Sequence, residues 1–234
     1  MRVLAVGAHP DDVEFLCAGT LAKFAQEGHQ IFIAHLCNGD MGGRDIAPEE
    51  LARIRKKEAE EAGKIIGAEV LGGYFGDLAL YRDNKESRDK VVDLIREVKP
   101  DIIITHSPHD YMIDHTHTSR IVCDAAFTAT LPNYKTKFPA HESIFPIYFM
   151  DTMAGINFQP TEYVDITDTF DIKKKMLLCH KSQYKWLDSH HQTQALEMLE
   201  IMARFRGIQC GVKYAEGFQK LEVWGRLRPY RLLP

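Results

Sequence analysis

The chain has 234 residues, 45% of them hydrophobic, and its formal net charge at pH 7 is −4. This length and composition suit one buried core, so we predict a single domain that spans residues 1–234. The weak negative charge offers no basic surface for nucleic acid, and no apolar run is long enough to cross a membrane, which leaves small molecules as the expected partners.

Apolar runs alternate with helical patterns along the whole chain. Five runs have the length and content of buried strands, at residues 3–6, 31–36, 70–71, 102–105 and 147–150. Because helical patterns lie between these runs, we predict an α/β fold, a Rossmann-like, doubly wound, mostly parallel sheet with helices on both faces. The longest predicted loop covers residues 131–146 and is interpreted as a surface connection.

A polar cluster directly follows the first predicted strand. The sequence His9-Pro10-Asp11-Asp12 lies at a strand-to-helix turn, before a helical pattern at residues 17–26. Enzymes with parallel sheets gather chemical groups at such turns. His9 and Asp12 are ligand types that suit a divalent ion such as zinc, whereas Asp11 is free to act on water. In the alternative interpretation, the acids cap the helix and His9 is a hydrogen-bonded loop residue.

The helical pattern after Pro48 places a carboxylate on an otherwise apolar face. Glu58 shares that face with Leu51, Ile54, Ala62 and Ile65. A carboxylate in such a position needs a partner, and Arg55 lies three residues earlier. Two interpretations remain open. Arg55 and Glu58 form an ordinary surface ion pair, or the pair faces a pocket in which Arg55 reaches substrate oxygens.

A second polar cluster follows the predicted strand at residues 102–105. It contains four of the chain's 11 histidines, His106, His109, His115 and His117. Because parallel strands end at one edge of a sheet, this cluster and the first one can share a pocket. His115 would then be a third ligand, which leaves the fourth position of a catalytic zinc for water or substrate. A solvated loop that binds metal adventitiously is the alternative.

The C-terminal part of the chain contains one more helical pattern. His190-His191 are predicted to begin this helix, which ends near Gly207. Its apolar stripe consists of Leu196, Leu199, Met202 and Phe205. His180, at the end of a lysine-rich helix, is interpreted as a complement to the helix dipole, and we assign it no chemistry.

Two further features concern the cellular compartment. The five cysteines are odd in number and lack C-x-x-C spacing, so we expect reduced thiols rather than a disulfide framework or a four-cysteine zinc site. The first strand begins almost at the N-terminus, without the charged and apolar regions of a signal peptide. We therefore expect a cytoplasmic protein.

The two polar clusters together resemble a known family. His9-Pro10-Asp11-Asp12 after the first strand, with Asp114-His115 after a later one, is similar to the zinc-dependent N-deacetylases of the LmbE/PIG-L family. That family includes the deacetylases of bacillithiol and mycothiol biosynthesis. The resemblance extends along most of the chain, through residues 38–43, 55–58, 72–77, 180–183 and 214–218. No single segment is decisive, but the ordered set is specific.

The resemblance implies an activity and a role for individual residues. It implies that His9, Asp12 and His115 bind Zn²⁺, and that Asp11 is the general base for the attacking water. It also implies that Arg55 and Asp77 contact the substrate. The implied reaction removes the acetyl group from an N-acetylated sugar conjugate of the N-acetylglucosamine type. The family resemblance further suggests that the protein is a homo-oligomer.

One position departs from the family pattern. The family often has His-Pro-Asp-His where this chain has Met112-Ile113-Asp114-His115, and the first histidine there helps to stabilise the reaction intermediate. A thioether neither donates a hydrogen bond nor carries a proton. Since His106 directly follows the predicted strand, we expect it to face the pocket and to act as a catalytic residue in place of the missing histidine. Failing that, the zinc and Asp11 alone would compensate. The alternative is that the chemistry is weakened or redirected to a different substrate.

Two other protein classes share part of this pattern. A dinuclear metallophosphoesterase also uses Asp and His at strand ends, but it needs more ligands, and Asn38-Gly39-Asp40 is only a fragment of its pattern. A nucleotide-binding Rossmann module without catalysis needs a glycine-rich phosphate turn. Gly7-Ala8-His9-Pro10 lacks the G-x-G-x-x-G pattern of that turn.

Overall fold

A computed structural model describes residues 1–183 and 194–234. Its strands and helices alternate through the first two thirds of the chain. In chain order the elements are β1 (Arg2–Gly7), α1 (Asp12–Leu16), α2 (Ala18–Gln26), β2 (Gln30–Cys37), α3 (Pro48–Lys64), β3 (Glu69–Phe75), α4 (Lys85–Val98), β4 (Ile102–Thr105), α5 (Ile113–Thr128), β5 (Ile147–Met150), a short 3₁₀ turn (Met153–Gly155), β6 (Glu162–Asp165), α6 (Phe170–Leu177), α7 (Ala195–Cys210) and β7 (Ala215–Lys220).

Among the described residues, seven strands form one sheet in the order β3-β2-β1-β4-β5-β7-β6. The first five of these are parallel neighbours, and β7 runs antiparallel to both β5 and β6. The five predicted strands and the mostly parallel, Rossmann-like sheet are therefore confirmed. Strands β6 and β7 were not predicted.

The core consists of two apolar layers, one on each face of the sheet. Alternate residues of β1 point to opposite faces, so that Val3 and Ala5 belong to one layer and Leu4 and Val6 to the other. Helices α2, α6 and α7 cover the first layer, whereas α4 and α5 cover the second. The predicted arrangement, with helices on both faces, is confirmed.

The topology brings the two polar clusters to one edge of the sheet. Strands β1 and β4 are parallel neighbours, with Val6 paired to Thr105, so that both end at the same level. The turn at residues 8–12 leaves β1 there, and the segment that leads to α5 leaves β4 beside it. Helix α5 begins at Ile113, which places Asp114 and His115 in its first turn.

The remaining sequence predictions are confirmed in part. Residues 131–146 contain no helix or strand and form a connection, as expected. The helical pattern at residues 17–26 corresponds to α2, and α1 precedes it. Helix α7 ends at Cys210 rather than near Gly207, and the predicted start at His190-His191 lies outside the described residues.

All five cysteines are free thiols. Within the described ranges, no helix has the length and apolar content to cross a bilayer.

Candidate metal centre and active site

The turn after β1 is held in a strained conformation. Asp11 has a positive φ of 127°, which is uncommon for a residue with a side chain and typically costs of order 1–3 kcal/mol. Its side chain makes no capping hydrogen bond to α1, and Asp12 accepts instead from the backbone N–H of His9 at 2.7 Å. The alternative in which the two acids simply cap the helix is therefore wrong.

Three side chains direct ligand atoms at one another at the end of the sheet. His9, Asp12 and His115 each offer one ligand atom, and these atoms all lie within 4.8 Å of one another. His9 Nδ1 is 3.6 Å from Asp12 Oδ2, and His115 Nε2 is 3.3 Å from Asp12 Oδ1. We call these three residues the metal-ligand cluster. The structure thus brings together the three residues that the sequence singles out as ligands.

Two further carboxylates orient the histidine rings. His115 Nδ1 donates to Asp110 Oδ2 at 3.0 Å, and His9 Nε2 donates to Asp114 Oδ2 at 3.1 Å. Such carboxylate–histidine pairs fix the tautomer of a metal-binding imidazole. The other ring nitrogen then carries a free lone pair that can bind the metal. His115 Nε2 is buried and has no hydrogen-bond partner. Two imidazole nitrogens and one carboxylate oxygen are the donor set of a catalytic zinc site, so the residues present fit a divalent cation.

Two other groups among the described residues come equally close together, but their donor atoms are less suitable. In the group of His9, Cys37 and Asp77, burial and nearby carboxylates raise the pKa of the Cys37 thiol, which disfavours the thiolate that a metal needs. In the group of His106, Asp110 and His115, the oxygens of Asp110 already accept from His115 and from the backbone of Met112. Neither group offers a better cation site.

The electrostatics of the metal-ligand cluster also favour a cation. Burial lowers the pKa of His9, but the hydrogen bonds to Asp114 and Asp12 outweigh burial and raise this pKa to about 10. Burial likewise lowers the pKa of His115, and the charge of Asp12 and the bond to Asp110 raise it to about 9. The carboxylates therefore stabilise positive charge on both rings. A bound metal ion would supply that charge in place of the protons.

Asp11 lies beside the metal-ligand cluster without belonging to it. Burial raises the pKa of Asp11 to about 6, against the opposing effect of the Arg55 guanidinium, whose Nη2 is 3.1 Å from Oδ1. A carboxylate with a pKa near neutrality is suited to accept a proton and to release it again. The position of Asp11 thus agrees with the general-base role that the sequence implies.

Arg55 is buried in the protein rather than placed on its surface. Its side chain is 2% exposed and donates to the backbone carbonyls of Pro10 and Gly39 as well as to Asp11. A Cβ atom on Gly39, which has a φ of +77°, would lie 2.5 Å from Arg55 Nε, so this close approach requires glycine. The surface ion-pair interpretation is wrong. Arg55 does line the cavity described below.

The partner of Glu58 comes from a distant part of the chain. Glu58 accepts from the backbone N–H of Ser182 at 2.9 Å and from its hydroxyl at 2.6 Å. The next residue, Gln183, donates to the carbonyl of Gly42 at 2.8 Å. These bonds hold the segment after α6 against α3. Glu58 therefore positions one wall of the site instead of pairing with Arg55.

Asp77 binds the loop that follows β2. Its carboxylate accepts from the backbone N–H groups of Gly39 at 2.8 Å and of Met41 at 3.1 Å. Each oxygen thus already has one hydrogen-bond partner, although the side chain also lines the cavity. The geometry gives Asp77 a clear role in positioning the loop, and its predicted contact with the substrate stays a prediction.

His106 lies behind the metal-ligand cluster instead of facing the substrate. It is fully buried, its Nε2 accepts from the backbone N–H of Ala8 at 3.0 Å, and its ring stacks on His115 at 3.9 Å. Burial and the charge of His115 lower its pKa to about 4, so the ring is neutral. The described residues that line the cavity include Met112 but not His106. The expectation that His106 faces the pocket as a catalytic residue is therefore wrong.

A second group of buried ionisable side chains lies behind Asp11. Glu14, His35 and His180, here called the acid–histidine cluster, are each at most 3% exposed. His180 Nε2 is 3.4 Å from Glu14 Oε1. Burial lowers the pKa of His180, but Glu14 outweighs burial and raises it, and the charge of His180 in turn favours ionised Asp11. His180 thus has a specific partner in Glu14, which the helix-dipole interpretation did not include. Glu14, a carboxylate between apolar residues of α1, was the available sequence signal.

The metal-ligand cluster forms the floor of a cavity of about 550 Å³. The walls combine polar and apolar side chains from several elements. The described lining residues are His9, Asp11, Asp12, Phe15, Met41, Gly42, Arg55, Asp77, Leu78, Tyr111, Met112, Ile113, Asp114, His115, Met153, Gln183, Ala195 and Met198. An α/β sheet that carries a cation site and an adjacent carboxylate in such a cavity has the features of a metal-dependent hydrolase.

Comparison with known proteins identifies the family. Residues 4–126 match the PIG-L family, described as GlcNAc-PI de-N-acetylase. This match spans more than half of the chain, so the protein belongs to the PIG-L family and is an enzyme of the N-deacetylase class. The family resemblance seen in the sequence is confirmed.

Individual relatives extend over nearly the whole chain. The diacetylchitobiose deacetylase of Thermococcus kodakarensis is 28% identical over 93% of this chain and 82% of its own length. The 4-oxalmesaconate hydratase of Pseudomonas putida is 26% identical over 93% of this chain and 88% of its own length. Among solved structures, the N,N'-diacetylchitobiose deacetylase of Pyrococcus horikoshii has a TM-score of 0.82 at 26% identity, covering 94% of this chain and 83% of that one.

Proposed function

We propose that this protein removes the acetyl group from the amine of an N-acetylated amino-sugar conjugate, with a zinc ion held by His9, Asp12 and His115. One observation carries the proposal. Two imidazole nitrogens and a carboxylate converge on the floor of a cavity, with the unligated carboxylate of Asp11 beside them. Family membership and the deacetylase relatives support the same reaction.

The roles of the chain's own residues follow from their positions. A zinc ion in this site would polarise the acetyl carbonyl and lower the pKa of water. Asp11 takes a proton from the attacking water and later delivers it to the departing amine nitrogen, which needs that proton to leave. Arg55 donates to Asp11 Oδ1 and thereby holds the orientation of this carboxylate. Asp110 and Asp114 keep the two histidines oriented.

Substrate binding is assigned to groups that line the cavity above the floor. Arg55 lines the cavity beside Asp11, and we propose that its guanidinium contacts a substrate oxygen. We propose a sugar-hydroxyl contact for Asp77, whose oxygens can each accept a second hydrogen bond. Met112 supplies no donor at its position, so this chain does not reproduce the family histidine there.

A second candidate function is the hydration of a carbon–carbon double bond. It is favoured by the hydratase relative, which is 26% identical over 93% of the chain. The described lining weighs against a substrate with several carboxylates. Among the described residues it contains a single guanidinium, that of Arg55, and four carboxylates, those of Asp11, Asp12, Asp77 and Asp114. These carboxylates would repel a polyanionic substrate.

The experiment that tests the proposal combines metal analysis with a substrate panel. Purified protein is analysed for bound metal and then incubated with N-acetylated sugars and with unsaturated carboxylic acids. Release of free amine with about one zinc per chain supports the deacetylase. Loss of the double-bond absorbance without amine release would establish the hydratase instead. Two metal ions per chain would favour the metallophosphoesterase class.

A further inference from the structure

Four large apolar side chains are exposed around the mouth of the active-site cavity. They are Met41, Leu78, Tyr111 and Ile113, with exposed fractions of 60%, 55%, 80% and 51%, and we call them the apolar rim. They come from three separate segments of the chain, and all of them line the cavity. Contiguous exposed apolar surface of this kind marks a binding site on a protein surface.

The walls below the apolar rim are also largely apolar. Phe15, Met112, Met153 and Met198 line the same cavity. Methionine side chains are flexible and polarisable, so such a wall adapts to apolar groups of different shape. The cavity therefore combines charged groups, namely the metal-ligand cluster with Asp11, Arg55 and Asp77, with apolar walls and an apolar rim. A substrate that fills it needs a polar end and an apolar end.

The backbone of Leu78, one residue of the apolar rim, is fixed by a hydrogen bond to the active site. Leu78 has a φ of 63°, a left-handed conformation that glycine or asparagine would adopt at lower cost. Its backbone N–H donates to Asp114 Oδ2 at 2.9 Å, the same oxygen that accepts from His9. The carboxylate that supports a metal ligand thus also fixes an exposed leucine at the cavity mouth. Strain of this kind persists where the surrounding structure enforces it, and it is concentrated at ligand-binding sites.

We propose that the natural substrate is an acetamido sugar whose anomeric substituent is an apolar aglycone, alkyl or aryl, and that the apolar rim binds this aglycone. The inference rests on the proposed function. The acetamide carbonyl must reach the floor, where His9, Asp12 and His115 converge. A longer acyl chain would begin among these charged groups, whereas a substituent at the anomeric carbon is several atoms further out and reaches the apolar rim. The aglycone side is therefore the apolar side of the substrate.

The first test compares four synthetic substrates on the zinc-loaded wild-type protein. They are the methyl and octyl glycosides of N-acetylglucosamine, N,N'-diacetylchitobiose, and the methyl glycoside of N-octanoylglucosamine, all below their critical micelle concentrations. Amine release gives kcat/KM for each. We expect the octyl glycoside to exceed both the methyl glycoside and chitobiose by at least about tenfold, mainly through a lower KM. Preference for the N-octanoyl substrate would overturn the proposal.

The second test changes the apolar rim itself. In the double variant Met41→Ser and Ile113→Ser, the ratio of kcat/KM for the octyl and methyl glycosides should fall towards one. The matched control is Ile208→Ser, an exposed residue of α7 outside the cavity lining, which should leave this ratio unchanged. An unchanged ratio in the double variant would overturn the proposal. So would dissociation of an oligomer by the same double variant in sedimentation velocity, because the apolar rim would then be a contact between copies.

The outcomes separate this inference from the function on which it rests. Hydrolysis of the methyl glycoside or chitobiose without any advantage of the octyl glycoside overturns the apolar aglycone and leaves the deacetylase standing. Failure to release amine from all four substrates, with zinc bound at one ion per chain, overturns both.

Discussion

The metal-ligand cluster and the acid–histidine cluster contain the same kinds of side chain, and both are buried, but their polar atoms are arranged differently. In the first, Asp110 and Asp114 bind the outer nitrogens of two histidines, and the inner nitrogens face Asp12. In the second, both oxygens of Glu14, both nitrogens of His180 and Nε2 of His35 lack hydrogen-bond partners. Residue type alone therefore does not define a cation site. Such a site also needs lone pairs that converge on one point and carboxylates that orient the histidine rings through their outer nitrogens.

The largest effect should follow from removing a member of the metal-ligand cluster. His9→Ala, Asp12→Ala and His115→Ala each leave two protein ligands, too few for a catalytic zinc site, so zinc content and turnover should both fall to near zero. Metal analysis of the dialysed proteins measures this. The control is His180→Ala in the acid–histidine cluster, which should retain zinc. Full occupancy in His115→Ala would assign the third ligand to another histidine.

The next largest effect should follow from Asp11→Asn. Asparagine has nearly the same shape but cannot accept a proton, so turnover should fall by about 10²–10⁴-fold while zinc stays bound. Steady-state kinetics and metal analysis on the same preparation separate these two quantities. Turnover close to that of the wild type, with zinc retained, would remove Asp11 from the reaction.

A smaller effect should follow from removing one of the carboxylates that orient the histidines. Asp110→Ala leaves His115 Nδ1 without its acceptor, and the affinity for zinc should fall by about 10–100-fold. Competition with a chelator of known affinity measures the change. Asp124→Ala, on the exposed side of α5, is the matched control and should leave the affinity unchanged. Equal affinities in both variants would refute the supporting role of Asp110.

Some features of the site could be predicted from the sequence, and others could not. The turn at His9 was predictable because strand, turn and helix are adjacent in the chain and the ligand types stand out. The partner of Glu58 was not, because Ser182 is 124 residues away and a serine carries no signal of its own. The orientation of His106 depends on two contacts of its Nε2, with the backbone N–H of Ala8 at 3.0 Å and with Asp12 Oδ2 at 3.1 Å, which join two neighbouring strand ends. No sequence pattern encodes those contacts.

The short antiparallel strands were missed for a related reason. Strand β6 has the sequence EYVD and β7 the sequence AEGFQK, and neither has the continuous apolar content of the five central strands. Their formation depends on tertiary pairing, with β7 inserted between β5 and β6. Glu216 of β7 is buried because Lys173 and the backbone of Gly19 and Thr20 bind it. Local propensity contributes little to such strands.

The acid–histidine cluster should affect stability rather than zinc content. His180→Gln leaves the buried carboxylate of Glu14 unpaired, and the free energy of unfolding should fall by about 3–5 kcal/mol. Urea unfolding of the single variant and of Glu14→Gln/His180→Gln tests this, because the neutral double variant should recover part of the loss. Equal stability of the single variant and the wild type would contradict the ion pair.

The contribution of His180 to the free energy of unfolding should depend on pH. The pKa of His180 is raised in the folded protein, since the Glu14 charge outweighs burial. Its protonation therefore stabilises the fold fully below the unfolded value near 6.5, and this stabilisation is lost as the pH rises through the higher folded pKa. The difference in unfolding free energy between wild type and His180→Gln should accordingly shrink in alkaline solution. If this difference in unfolding free energy instead grows with pH, the raised pKa of His180 is wrong.

The smallest expected effect concerns Met112, which directly precedes α5 and lines the cavity. Its backbone N–H donates to Asp110 at 3.0 Å, so the position of the residue is fixed while its side chain lines the cavity. Met112→His places a hydrogen-bond donor on that wall. A preorganised donor to a developing oxyanion contributes about 10²–10³-fold in turnover, but a histidine introduced without a partner for its second nitrogen is not preorganised. We therefore expect kcat for the methyl glycoside of N-acetylglucosamine to rise by less than about tenfold. The octyl preference should decrease, because the apolar wall is interrupted. A gain of about 100-fold or more would mean that the surroundings still support the family histidine, and a loss of turnover would mean that position 112 serves the apolar group alone.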